Sequence, residues 1–361
     1  MAAELLERAP DDEQRGALVA AFEQAFQGRS IGTLPDRLLH AIRATNKLSL
    51  ALRLRLGEPA AIDTALQQVG SLKTPIDERI RLVTWLGESR VEGALPAMLE
   101  IVRSEQAPEL LTATLVALQA FTDDRVSQAI STRYAFWPAD VRATAARTLA
   151  TRRQGAVTLL GLLDQQVATS REIPDDVVAM LQLHLPGNDR TRLENYWPDW
   201  QSQQTDDVAE LQRVSAALAT GDANPYNGHA LFVANCAKCH QLFREGGQVG
   251  PNLTPYMRTD TPRLALQVVN PSKEIREGFE TWTAITADGR IVSGFLTDQD
   301  PQRIVLRDVD GRDVSLLRSE LESLERSNRS LMPQGLLRTL SEQEIRDLFS
   351  YLRISQPLNE N

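Results

Sequence analysis

Five consecutive residues carry the clearest chemistry in this chain: Cys236, Ala237, Lys238, Cys239 and His240. Two thiols three positions apart, followed at once by an imidazole, form the spacing that attaches a c-type haem. Each thiol can form a thioether with one haem vinyl group, and the histidine then supplies an axial ligand to the iron. Two other chemistries use part of this set. A redox dithiol needs the paired cysteines but not the histidine that follows them. A structural zinc site needs about four ligands. The sequence holds no third cysteine, and His40, His184 and His229 show no ligand spacing around the motif.

Further motifs follow in order. Gly228-His229-Ala230-Leu231-Phe232 precedes the cysteines, and Gly250-Pro251-Asn252-Leu253-Thr254 follows them. Then come Asn270-Pro271-Ser272-Lys273-Glu274-Ile275, Ser330-Leu331-Met332-Pro333-Gln334-Gly335-Leu336, and an apolar segment ending Leu348-Phe349-Ser350-Tyr351-Leu352. Over residues 222–356 the chain resembles the class I cytochrome c fold. Within that superfamily it is most similar to the haem-binding domain family first noticed in planctomycetes and verrucomicrobia, which carries a β insertion before its methionine. The resemblance implies one covalent haem c on Cys236 and Cys239, with His240 and Met332 as iron ligands. It also implies that the Pro251 carbonyl accepts a hydrogen bond from the His240 ring, a contact that fixes the tautomer and strengthens the ligand. Read without the resemblance, Gly250-Pro251 is an ordinary turn. Met257 is the rival for the sixth position, with a loop or core role as its alternative. Met98 and Met180 read as packing residues.

The elements around these residues can be read from periodicity. A helix over residues 227–237 leads into the cysteines, with Leu231 and Phe232 facing the core. His240 and Met332 are far apart for a small cytochrome c, and residues 279–326 account for the excess. Strand-like alternation runs over residues 281–286, 290–296, 303–309 and 313–317, with turns at Asp288-Gly289 and Asp310-Gly311. The last helix starts with a capping box, Ser341 with Glu344 three residues on. Its apolar face, Ile345, Leu348, Phe349 and Leu352, is expected to pack on the helix before the cysteines.

Residues 1–185 read as helix after helix. Leu56, Leu86, Leu118 and Leu149 close successive first helices at steps of roughly 31 residues. Second helices follow over residues 60–69, 93–102, 125–134 and 156–165. Units of this length fit a HEAT-like α-solenoid, and an irregular helical bundle is the other reading. The fold class is therefore mainly α: a helical repeat region, then a cytochrome c fold with a small antiparallel insertion. Residues 186–221 read as a connector with a polar stretch at 201–207 and one helix over 208–220. In the repeat region Trp85, Phe121, Tyr134, Phe136 and Trp137 read as packing residues. His40 and His184 are isolated. The cluster Arg142, Arg147, Arg152 and Arg153 reads as a solvated helix face, with an acidic partner as the alternative.

Composition narrows the functions. A chain of 361 residues exceeds one ordinary domain, and 42% hydrophobic residues suffice for real cores. A net charge of −9 argues against nucleic acid as a partner. No apolar run reaches the length of a bilayer span. Haem c is normally attached outside the cytoplasm, yet residues 1–8 lack the basic and apolar regions of a signal peptide. The expectation is a mature or excised piece of a longer exported, periplasmic or otherwise extracytoplasmic protein; the alternative is a cytoplasmic chain whose motif stays unmetallated. No catalytic constellation is present, so the expected role is electron transfer; the family resemblance implies a redox partner or an upstream dehydrogenase-like domain as the source of electrons. A haem-based sensor or peroxidase-like enzyme with a labile methionine is the alternative, and a purely structural interaction protein is a third.

Overall fold

The computed structural model describes residues 2–25, 34–45, 48–105, 107–198 and 204–359. Of the segments discussed above, Met1 and residues 201–203 lie outside these. The fold is mainly helical with a small antiparallel sheet region. Two compact units are present, Met1–Pro186 and Gly187–Asn361.

The first unit opens with α1 (Ala2–Glu7), α2 (Asp12–Ala25) and α3 (Asp36–Arg43), whose Leu6, Val19 and Ile42 share a cluster with Leu52. Helices then come in pairs: α4 (Leu50–Arg55) and α5 (Pro59–Gly70), α6 (Ile76–Glu88) and α7 (Leu95–Ser104), α8 (Pro108–Leu118) and α9 (Asp124–Arg133), α10 (Ala139–Ala150) and α11 (Arg153–Asp164). α12 (Asp175–His184) closes the unit. First helices pack on first helices, α4 on α6, α6 on α8, α8 on α10 and α10 on α12; second helices do the same from α5 to α11. The contacts are close. A Cβ on Gly87 in α6 would stand 2.7 Å from that of Ala117 in α8. The Thr148 hydroxyl in α10 donates to the Leu115 carbonyl in α8 at 3.0 Å. Ion pairs join neighbours in the row, Arg55 with Glu88 at 3.2 Å and Arg147 with Asp176 at 2.7 Å.

Those pairs change the reading of the arginine cluster, because Arg147 and Arg142 face acidic groups of this unit, Asp176 and Glu172, rather than solvent alone. Phe121, Tyr134 and Trp137 are buried as expected. Phe136 is not: it is 73% exposed, with the Arg133 guanidinium over its ring. The short 3-10 turn at Tyr134–Phe136 rotates Tyr134 inward and Phe136 outward. Met98 and Met180 are core residues.

The second unit contains α13 (Asn188–Tyr196), α14 (Gln204–Ala219), α15 (Pro225–Asn235), α16 (Thr261–Val269) and α17 (Glu342–Leu352). α14 is not a free connector. It packs on α16 and α17, and its Val214 and Ala217 are buried in the same cluster as Phe232, Ile345, Leu348 and Phe349. The polar flanks of this helix hide an apolar face, Leu211, Val214, Ala217 and Leu218, at helical spacing.

A two-stranded ribbon, β1 (Gln241–Leu242) with β2 (Glu245–Gly246), follows α15. The insertion is a five-stranded antiparallel sheet: β3 (Thr281–Thr286), β4 (Ile291–Gln299), β5 (Arg303–Arg307), β6 (Asp313–Leu317) and β7 (Leu321–Arg326), in the order β6-β5-β4-β3-β7. Gly289 and Gly311 take φ of +77° and +80° in its turns, a region open to glycine at no steric cost. Ala284, Val292, Ile304, Leu306 and Leu316 form its core.

Candidate haem site

The site begins where α15 ends. Asn224 caps that helix, its side chain accepting from Tyr226 N–H, and Pro225 takes the first turn, where no amide donor is needed. Phe232 is fully buried. Past Asn235 the chain turns tightly, and the N–H groups of Cys239 and His240 donate to the Cys236 carbonyl at 3.1 and 2.9 Å. This turn brings both thiols and the imidazole to the edge of one cavity.

Backbone contacts hold the turn from the other side. Gly247 N–H donates to Ala237 C=O at 2.7 Å, and Gly250 N–H donates to Cys239 C=O at 2.8 Å. There is no room for side chains here. A Cβ on Gly247 would lie 2.2 Å from the Lys238 carbonyl oxygen, and one on Gly250 would lie 2.8 Å from His240 Cε1. His240 Nδ1 is 2.9 Å from the Pro251 carbonyl oxygen, which can only accept, so Nδ1 carries the proton and Nε2 keeps its lone pair. Burial lowers the imidazole below its ordinary value, against the opposing effect of the Pro251 bond, which favours the protonated form. Burial, with a lesser effect of Cys239, pushes the Cys236 thiol up to about 11.

The cavity has a volume of about 860 Å³. That is within the range of pre-formed cofactor sites. Cys236, Cys239, His240, Pro251 and Met332 all line it, so the five residues singled out from sequence meet in one place. Met257 lines it too, although the residue is 83% exposed. The Met332 loop is anchored to the Asn270–Ile275 segment: Ser330 N–H donates to Ser272 Oγ, and Met332 N–H to Ser330 Oγ, both at 3.1 Å. Pro271 and Ile275 of that segment also line the cavity.

Sequence reasoning missed other lining residues. Arg258 is buried, reaches the cavity, and donates to the Leu352 and Ile354 carbonyls at the end of α17. Phe279, Phe295 and Val309 come from the β insertion. No local signal marks these four, because they reach the site only through tertiary packing.

The residues present fit a covalent haem. Two thiols, a neutral imidazole with its donor nitrogen fixed, and a glycine cradle against the ring line an apolar-walled cavity. Among the described residues no group of three or more His, Cys, Asp or Glu could hold a metal ion, so the zinc reading lacks its ligands. Among them, too, no helix is long and apolar enough to cross a membrane.

A search of curated proteins finds no match to this chain. The model of the Cytochrome c family matches residues 226–306, from the start of α15 into β5, and ends before the Met332 loop. Helix, attachment turn and histidine cradle thus agree with the family match: the second unit carries a class I cytochrome c domain, and with it covalently bound haem c.

Proposed function

We propose that this chain is an electron-transfer protein whose haem is ligated by His240 and Met332. One observation carries the reading: His240 and Met332 line the same cavity as both thiols. The haem, when bound, supplies a reversible one-electron couple, and a thioether ligand favours its ferrous form. The chain's part is to bind and position. Cys236 and Cys239 fix the group covalently. Pro251 holds the His240 proton on Nδ1. The Ser272–Ser330 contact holds the methionine loop. Two protein ligands leave no open position for substrate, which favours a relay over catalysis.

The β insertion before Met332 supports membership of the planctomycete and verrucomicrobial haem-binding type. The row-on-row packing of α4 to α12 supports a HEAT-like solenoid, which we assign as scaffold or docking surface. Haem c attachment supports an extracytoplasmic location and a place beside an exported dehydrogenase-like domain or redox partner that supplies the electrons.

The absorption spectrum of matured holoprotein tests this. We expect a six-coordinate, low-spin haem whose ferrous form does not bind carbon monoxide. Met332→Ala should admit carbon monoxide and lower the reduction potential, while Met257→Ala should do neither. The reverse pattern transfers the ligand role to Met257. Carbon monoxide binding by the unaltered protein replaces the relay with the sensor or peroxidase-like alternative.

A further inference from the structure

The β insertion contributes three apolar side chains to the cavity. Phe295 on β4 is buried, and its ring meets that of Phe279 edge-on at 5.5 Å; Val309 lies in the turn between β5 and β6. The same turn lies against the attachment segment. Asp310 accepts from Lys238 Nζ at 2.8 Å, and Lys238 stands between the two cysteines. A Cβ on Gly311 would come within 3.0 Å of the Val249 side chain, next to Gly250. The Asp308 carboxylate ties the turn internally, accepting from the amides of Asp310 and Arg312 at 2.9 and 2.8 Å. Asp310 also receives the Arg312 guanidinium at 3.2 Å.

We infer that the insertion is a wall of the haem site, with Phe279, Phe295 and Val309 excluding water and Asp310 positioning that wall on the attachment turn through Lys238. The ion pair sets register rather than stability. Lys238 is two-thirds exposed while Asp310 is largely buried, and a pair with one well-solvated partner contributes little net stability. The apolar side chains do the shielding. Water kept from a redox centre disfavours its more highly charged oxidised state, so the wall raises the reduction potential.

This rests on the proposal that the haem in this cavity is a reversible one-electron centre. Potentiometric titration of the full-length holoprotein separates the two, because a parent protein with no reversible couple removes that proposal before any variant is compared. Asp310→Asn is the decisive substitution. Losing a negative charge near the iron raises the potential by Coulomb's law alone, whereas loosening the wall admits water and lowers it. We expect a downward shift. A second downward shift is expected from Val309→Thr, which adds a polar atom at nearly constant volume and leaves the ion pair in place. Exchanging the pair, Lys238→Asp with Asp310→Lys, should return the potential towards that of the parent. An upward shift in Asp310→Asn, a silent Val309→Thr, or an exchange that restores nothing would each overturn the inference. If the charge variants fail to mature, Val309→Thr alone decides it.

Discussion

A methyl group on Gly250 would stand 2.8 Å from Cε1 and 3.0 Å from Nδ1 of His240. The imidazole lies flat against this backbone, and only the absence of a side chain allows it to reach the Pro251 carbonyl. Gly250→Ala must move either the ring or the loop. Loss of such a supporting bond typically costs about 10–100-fold in ligand affinity. We expect holoprotein of this variant to show a high-spin fraction in its absorption spectrum; a wholly low-spin spectrum would mean that the loop yields without disturbing the ring. At this scale much was legible from sequence. Cys236, Cys239 and His240 are contiguous, and contiguous chemistry survives without knowledge of the fold. Pro251 and Met332 needed the family resemblance, because nothing in a Gly-Pro turn or a lone methionine says what it faces.

The helices α15 and α17 meet through a glycine and an aspartate. A Cβ on Gly228 would fall 1.9 Å from the Asp347 carbonyl oxygen, a distance that only backbone movement can relieve. Overpacking of this kind costs typically 1–3 kcal/mol or more. Gly228→Ala should therefore lower the thermal midpoint of the second unit by several degrees in calorimetry, and an unchanged midpoint would show that the helices are not held at this contact. The Asp347 side chain secures the same crossing, accepting from Asn224 N–H at 2.7 Å, Gln343 at 2.8 Å and Asn227 at 3.2 Å. Burial pushes its carboxyl up, but these three donors together with the Arg346 charge outweigh burial and hold it below the ordinary value. A carboxylate with a lowered folded-state value stabilises fully above its unfolded value, near 3.9, and loses that contribution as pH falls through the folded one. Asp347→Asn should be less stable than the parent at neutral pH. The gap should narrow in denaturant titrations below about pH 4; a gap that stays constant there would place the effect elsewhere.

Element by element, local signals were enough where the element is itself local. The Ser341 and Glu344 box caps α17 in both directions, Glu344 N–H donating to Ser341 Oγ and Ser341 N–H to the Glu344 carboxylate. Four strands of the insertion alternate clearly in sequence. β7 escaped notice because Leu321–Arg326 offers only two leucines and lies half-exposed at the sheet edge, where pairing with β3 rather than burial defines it. The role of α14 escaped for a related reason: its polar flanks suggested a connector, and its four apolar positions show their purpose only against α16 and α17.

At the scale of the whole molecule, the groups that could hold a cofactor are unevenly distributed. Both cysteines, His229 and His240 lie after residue 228, and the first unit has only His40 and His184. His40 is exposed on α3. Burial pushes the His184 imidazole below its ordinary value, against the Thr151 and Ala150 backbone contacts, and among the described residues it belongs to no group of three or more metal-ligating side chains. The first unit instead buries an apolar residue from each first helix of its row: Leu52, Leu82, Leu115, Leu149 and Val177. Such stacking needs no cofactor for stability. The second unit has its own core around Phe232 and Phe349. Each unit therefore has what independent folding requires. Expressed separately, residues 187–361 should bind haem covalently and titrate reversibly with one electron, while residues 1–186 should form a cooperative helical fold without cofactor. Loss of haem ligation in the isolated second unit would mean that the first completes the site. Turnover of a substrate by either piece would replace the relay with an enzyme.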